Sequence, residues 1–220
     1  MLLPLLWVLQ STPPDTLEIH PVKYPPSVGA ALDSVRHGPP QLELRTGQGT
    51  ARVWLLRAAD TFFVAATIPD STPYWGDDFV VSMNVGGTPG AHPGHDDFQW
   101  YLRRVLDSTV IYRGRGGRWE APRGDPDWRL GSARSGGGWE VSVRDDRKSW
   151  SLILRLDPAW LEGSEGRPPR LAFRIYDNSP GGWFAWPASA GVTPASVEQT
   201  PSLWGYVKSA TARRKDRPLD

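Results

Sequence analysis

Five aspartates stand where polar loops give way to apolar, aromatic runs. Asp70, Asp77 and Asp78 precede Phe79-Val80-Val81, and Asp96 and Asp97 precede Phe98-Gln99-Trp100. Carboxylates gathered at strand entries are hard oxygen ligands, and Ca²⁺ accepts such donors in flexible arrangements that tie loops together. Asp also begins strands and caps turns for local reasons, so a metal role and a turn role both fit these five. Their spacing is not that of an EF-hand. The same acids could form the carboxylate pair a glycosidase needs, but the required separation is not readable from sequence. His92-Pro93-Gly94-His95 leads into the second acidic pair and adds two imidazoles, a donor set for a transition metal. Pro93-Gly94 is equally a turn dipeptide that explains the spacing by itself. No Gly-x-Ser-x-Gly elbow accompanies these groups, and an enzyme is the weaker class.

Aromatic residues form the second chemical resource: the chain has 12 Trp, 6 Tyr and 6 Phe. Trp54, Trp139 and Trp150 sit inside alternating runs and read as core. Trp75 follows Pro73-Tyr74 in a loop, and Trp183 and Trp186 lie in Pro180-Gly181-Gly182-Trp183-Phe184-Ala185-Trp186-Pro187. A flat aromatic face suits the C–H face of a sugar ring, while nearby carboxylates and amides bond its hydroxyls. Loop aromatics fold back as lids over a core just as readily. Arg113-Gly114-Arg115-Gly116-Gly117-Arg118-Trp119 has the composition of single-strand binders, but it occurs once in a chain of net charge +1. A nucleic-acid partner calls for a basic patch, so a glycine turn with solvated arginines is the better reading.

These groups need a scaffold that presents loops. The 220 residues contain 23 Gly and 22 Pro without a repeating period, as expected for many turns between short strands. The absence of cysteine excludes disulfides, thiolate zinc sites and a cysteine nucleophile. Alternating runs predict strands over residues 41–46, 51–57, 61–68, 79–85, 98–104, 109–113, 139–143, 149–156, 171–176 and 203–208. In residues 149–156 the alternation is cleanest, with Trp150, Leu152, Leu154 and Leu156 on one face. This pattern predicts an all-β, antiparallel, jelly-roll-like sandwich over 41–208 with long loops. Helix is limited to one turn, Asp157-Pro158-Ala159-Trp160-Leu161, with Asp157 as N-cap and Pro158 at the first helical position. Residues 13–40 read as an extended, Pro-rich lead-in that wraps the domain, and 209–220 as a basic tail. Residues 1–12 include an apolar run that resembles part of a secretory signal, which points to a periplasmic or extracellular location. No other segment is long and apolar enough for a membrane-spanning helix.

The order of several pieces resembles family 9 carbohydrate-binding modules, within the broader DOMON-like sandwiches. These pieces are Ala51-Arg52-Val53-Trp54-Leu55, Tyr74-Trp75-Gly76-Asp77-Asp78-Phe79, Asp96-Asp97-Phe98-Gln99-Trp100, Gly138-Trp139-Glu140-Val141, Leu171-Ala172-Phe173-Arg174-Ile175-Tyr176 and Pro201-Ser202-Leu203-Trp204-Gly205. The resemblance implies a β-sandwich that clamps a terminal sugar of a plant-type or bacterial polysaccharide between two tryptophans, near structural calcium. Trp75 falls on the first clamp position. The second would precede Pro201, where residues 195–200 hold no aromatic, and Trp183 or Trp186 is the substitute. Gln99, Arg174 and Glu198 are the expected polar contacts. The wider superfamily also implies an alternative, haem-binding electron transfer with Met83 as an axial ligand. A solitary protein-interaction sandwich is a further reading.

Overall fold

The computed structural model describes residues 15–28, 38–59, 61–72, 77–86, 88–104, 109–121, 138–157, 169–178, 181–188 and 192–209. Two layers of strands face each other across an apolar core. The first contains β5 (Asp78–Asn84), β6 (Asp97–Arg103), β7 (Val110–Arg115), β8 (Arg118–Glu120), β11 (Arg170–Asp177), β12 (Gly182–Trp186) and β13 (Gly205–Ser209). Its order is β8-β7-β6-β5-β11-β13, and β12 also pairs with β11. The second contains β2 (Leu42–Arg45), β3 (Thr50–Ala58), β4 (Thr61–Pro69), β9 (Trp139–Asp145) and β10 (Ser149–Leu156). It runs β3-β4-β10-β9 with β2 against β3.

Period-2 alternation produces this arrangement because successive strand side chains point to opposite faces. Phe79, Val81 and Met83 of β5, Phe98, Trp100 and Leu102 of β6, and Leu171, Phe173 and Ile175 of β11 turn inward. They meet Val53 and Leu55 of β3, Val64 and Ala66 of β4, and Trp150, Leu152 and Leu154 of β10. The three tryptophans expected in the core are buried: Trp54, Trp139 and Trp150. Trp54 lies on the far face of the second layer, in a separate cluster with Leu56, Phe63, Ala65 and Ile153.

The strand β1 (Thr16–Pro21) departs from the sequence expectation, which put residues 13–40 outside the sandwich. Residues 16–19 run parallel to 206–209 of β13, and residues 20–21 run parallel to 56–57 of β3, so one strand ties both layers. The sheet is therefore mixed rather than wholly antiparallel. Only Leu17 and Ile19 mark β1 as half-buried, and the prolines around it obscure so short an alternation. The rest of the described lead-in does wrap: Val22 and Val28 pack on the outer cluster, and Trp54 Nε1 donates to the Gly38 carbonyl at 3.1 Å.

Two segments read as loops are ordered elements. β12 pairs with β11 at residues 182–186, and Gly116 and Gly117 form the two-residue turn between β7 and β8. Their φ angles of 57° and 81° are the left-handed pair a primed hairpin turn requires, which accounts for the Arg-Gly run without a nucleic acid. The expected helical turn after Asp157 lies outside the described residues. The helix that is described, α1 (Pro194–Gln199), is followed by a 3₁₀ turn, Pro201–Leu203. No helix among the described residues is long and apolar enough to cross a membrane.

Candidate functional site

The outward residues of β7, β6, β5, β11 and β12 line up across the strands in rows. One row reads Tyr112, Gln99, Ser82, Ala172; the next reads Val110, Tyr101, Val80, Arg174, Ala185; the third reads Arg103, Asp78, Tyr176, Trp183. α1 lies over the first two rows and packs the buried Val197 against Ala172 and Trp204. A capping box between Thr193 and Ser196 starts the helix. Trp204 holds it down by donating from Nε1 to the Val197 carbonyl at 2.6 Å, and its ring stacks on Trp119 at 6.2 Å and 6°.

This placement delivers Glu198 to the second row. Arg174 is only 2% exposed, and its Nη1 donates to Glu198 Oε2 at 2.5 Å. Its Nη2 donates to the Tyr101 hydroxyl at 2.7 Å, and that hydroxyl lies 3.3 Å from Glu198 Oε1. The Trp183 ring covers the guanidinium with 4.4 Å between Cζ and ring centre, a favourable cation–π geometry. Burial, reinforced by the Glu198 charge and opposed by Arg174, pushes the Tyr101 pKa up to about 12, so Tyr101 remains a hydroxyl donor at neutral pH. The Glu198 carbonyl accepts from Trp119 Nε1 at 3.0 Å and from Gln99 Nε2 at 3.5 Å, which fixes the turn that carries the carboxylate.

The third row borders the second. Asp78 Oδ1 accepts from Arg103 Nε at 3.1 Å. Burial dominates over the Arg103 charge and raises the Asp78 pKa to about 6. Tyr176 and Trp183 pack at 5.1 Å with a 48° tilt, and both remain half-buried, so aromatic surface adjoins the charged groups.

One end of the sandwich is closed by a second polar cluster that joins the two layers. Arg104, 3% exposed at its side chain, reaches Asp145 by two bonds (Nη2 at 2.7 Å and Nε at 3.1 Å), Asp70 at 3.3 Å and Asp77 at 3.5 Å. Gln48, in the turn between β2 and β3, donates from Nε2 to Asp70 Oδ1 at 2.7 Å, and its Oε1 accepts from the Ser71 amide at 2.8 Å. Burial raises the Asp70 pKa, but its hydrogen-bonding with Asp77 and the bonds donated by Thr72 and Gln48 outweigh it and hold that carboxyl below its ordinary value. The cluster flanks residues 73–76 in sequence and secures Thr72 and Asp77 on either side.

The structure thus brings Gln99, Arg174, Glu198 and Trp183 of the expected site onto one face. Trp75 lies outside the described residues. Trp186 is not on that face: it is 6% exposed and packs inward on Phe173 at 5.9 Å, because its parity on β12 matches Phe184 rather than Trp183. Gly205 makes room for it, since a Cβ there would collide with the Trp186 ring.

The five aspartates do not form one metal site. Asp70 and Asp77 share the Arg104 guanidinium, Asp78 pairs with Arg103, Asp96 meets His95 at 3.0 Å, and Asp97 bonds Asn84 and the Gly94 amide at 2.7 Å each. Among the described residues no group of three or more His, Cys, Asp or Glu side chains is arranged to hold a metal ion. Met83, the haem candidate, is fully buried in the apolar core. Tyr101, Tyr176 and Arg103 were not singled out from sequence, although Gln99, Tyr101 and Arg103 share the face opposite Phe98, Trp100 and Leu102. That alternation was the signal available.

The chain matches no protein-family model and no curated protein. Among solved structures it is similar to a family 9 carbohydrate binding module from Caldicellulosiruptor kristjanssonii in complex with glucose, with TM-score 0.52 and 15% identity over 92% of this chain and 100% of that one. It is similar also to such a module from the same organism in complex with cellotriose, with TM-score 0.54 and 14% identity over 94% and 100% of the respective chains. At these identities the likeness concerns the backbone: the chain has the fold of family 9 carbohydrate-binding modules, as the order of its sequence pieces implies.

Proposed function

We propose that this chain is a non-catalytic carbohydrate-binding β-sandwich that takes a plant-type or bacterial oligosaccharide or polysaccharide on the outer face of β6, β11 and β12. The observation that carries the reading is the row of Tyr101, Arg174 and Trp183, closed by Glu198. It joins aromatic surface for C–H contacts to fixed hydroxyl and carboxylate groups for sugar hydroxyls, the combination a sugar site requires. The two similar structures, bound to glucose and to cellotriose, support the same choice. Trp183 and Tyr176 form one aromatic wall in this account, and Trp75, as the family resemblance implies, stacks on the sugar. Glu198 and Asp78 each sit on an arginine and act as hydrogen-bond acceptors rather than as a hydrolytic pair.

A glycan array of plant and bacterial oligosaccharides tests the proposal with the wild type, Trp75→Ala and Trp183→Ala. The wild type binds a related group of glycans, and each variant loses them while keeping its thermal midpoint within a few degrees. An array without hits for the wild type contradicts the proposal.

A further inference from the structure

Arginine presents a planar fork of donors that matches a carboxylate, so an arginine on a sugar-facing sheet ordinarily invites acidic sugars. Here the fork is already engaged from within the chain. Glu198 Oε2 sits 2.5 Å from Arg174 Nη1, the Tyr101 hydroxyl takes Nη2 at 2.7 Å, and Trp183 covers the guanidinium face. Arg174 is 2% exposed at its side chain, whereas Glu198 is 26% exposed, so the carboxylate and not the guanidinium is what an incoming ligand meets. The other arginine of the second and third rows, Arg103, likewise carries the carboxylate of Asp78 at 3.1 Å. Among the described residues of these two rows, each arginine therefore already carries a carboxylate.

Glu198 is also rigidly placed. Its own carbonyl accepts from Trp119 at 3.0 Å, and the preceding carbonyl, that of Val197, accepts from Trp204 at 2.6 Å. Val197 is fully buried beneath the helix. These contacts fix the backbone that carries Glu198, and the bonds to Arg174 and Tyr101 hold its carboxylate in place.

We infer that Glu198 is a specificity-determining residue that restricts this face to uncharged sugars and rejects uronic acids, by holding on Arg174 the position a sugar carboxylate would take. The inference rests on the carbohydrate reading above and narrows it to a substrate class. Discrimination of this kind comes from a repulsive element placed against the wrong ligand as much as from attraction to the right one.

The test compares cellotriose with its counterpart oxidised to the uronic acid at C6, by isothermal titration calorimetry at pH 7.5, using the full chain and Glu198→Gln. The wild type binds the neutral sugar at least about tenfold more tightly, since like charges placed together across an interface are strongly disfavoured. The preference shrinks as salt rises, because screening weakens the repulsion. Glu198→Gln leaves the guanidinium without its carboxylate, and the preference narrows to near unity or inverts. Should that variant fail to fold, the wild-type ratio and its salt dependence decide alone. A wild type that binds both forms equally, or prefers the acid, overturns the inference while leaving the carbohydrate reading standing. An unchanged ratio in folded Glu198→Gln does the same. Failure of both sugars to bind either protein overturns the carbohydrate reading and the inference together.

Discussion

Replacing Arg104 by Met probes the polar cluster that joins the two layers. The guanidinium serves three carboxylates at 2.7–3.5 Å, and two of these, Asp70 and Asp77, are 3% and 1% exposed at their side chains. Methionine fills similar volume but removes the cation from two buried acids. Removing one partner of a buried ion pair costs about 3–5 kcal/mol. Asp145 is 48% exposed and adds little, as surface pairs contribute at most about 1 kcal/mol. For a chain of this size each kcal/mol lowers the thermal midpoint by about 2–4 °C, so Arg104→Met melts about 6–20 °C lower. The sign of the pH effect is fixed by the same geometry. Hydrogen-bonding with Asp77, Thr72 and Gln48 holds the Asp70 pKa below its ordinary value, and the bond from Arg104 does so for Asp145. The stability they contribute is present at neutral pH and is lost as pH falls through their depressed folded values. In the variant those carboxyls protonate more readily, so its deficit narrows toward pH 4. Urea titrations at pH 7.5 and pH 4 measure both quantities. A deficit below about 1 kcal/mol at pH 7.5 would refute the reasoning, as would one that widens in acid.

Three further outcomes follow from other parts of the molecule. Asp78 has its pKa raised from 3.8 to about 6, so the folded state holds a proton that the unfolded state has released. Stability therefore declines as pH rises from about 4 to above 6, by up to about 3 kcal/mol, and Asp78→Asn removes that slope in urea titrations. Gly205→Ala drives a methyl group into the Trp186 ring and costs about 1–3 kcal/mol, read as a lowered urea midpoint with an unchanged slope. Chelation by EDTA leaves the thermal midpoint unmoved, because Arg104 supplies the positive charge at Asp70 and Asp77. A structural calcium held at about 100 times its dissociation constant would instead contribute about 2.7 kcal/mol and be plain in the melt.

The strands that build the layers were legible because each carries alternation long enough to see. Trp150, Leu152, Leu154 and Leu156 fall on one face of β10 as their spacing predicts. Shorter signals failed for physical reasons. β1 contributes two inward residues between prolines, and β12 has Gly before it and Pro after it, so each looks like a loop until its neighbour supplies the hydrogen bonds. On the site, Gln99, Arg174, Glu198 and Trp183 were named from resemblance and converge in space. Trp183 and Trp186 stood as equals in the sequence, and strand parity separates them: one faces out with Tyr176, the other in with Phe173. The aspartates show the limit of local reading. The partners of Asp70, Asp77 and Asp78, which are Arg104, Arg103 and Gln48, come from distant turns and strand ends, and no spacing along the chain announces such meetings.

The central claim, that the outer face of β6, β11 and β12 receives a sugar, is tested most directly by titrating ¹⁵N-labelled protein with cellotriose and following amide and indole signals. The account predicts saturable shifts concentrated at Tyr101, Arg174, Tyr176, Trp183 and Glu198, with the buried Trp54 on the opposite layer unmoved. Absence of shifts at saturating sugar, or shifts confined to the far layer around Trp54, would contradict it.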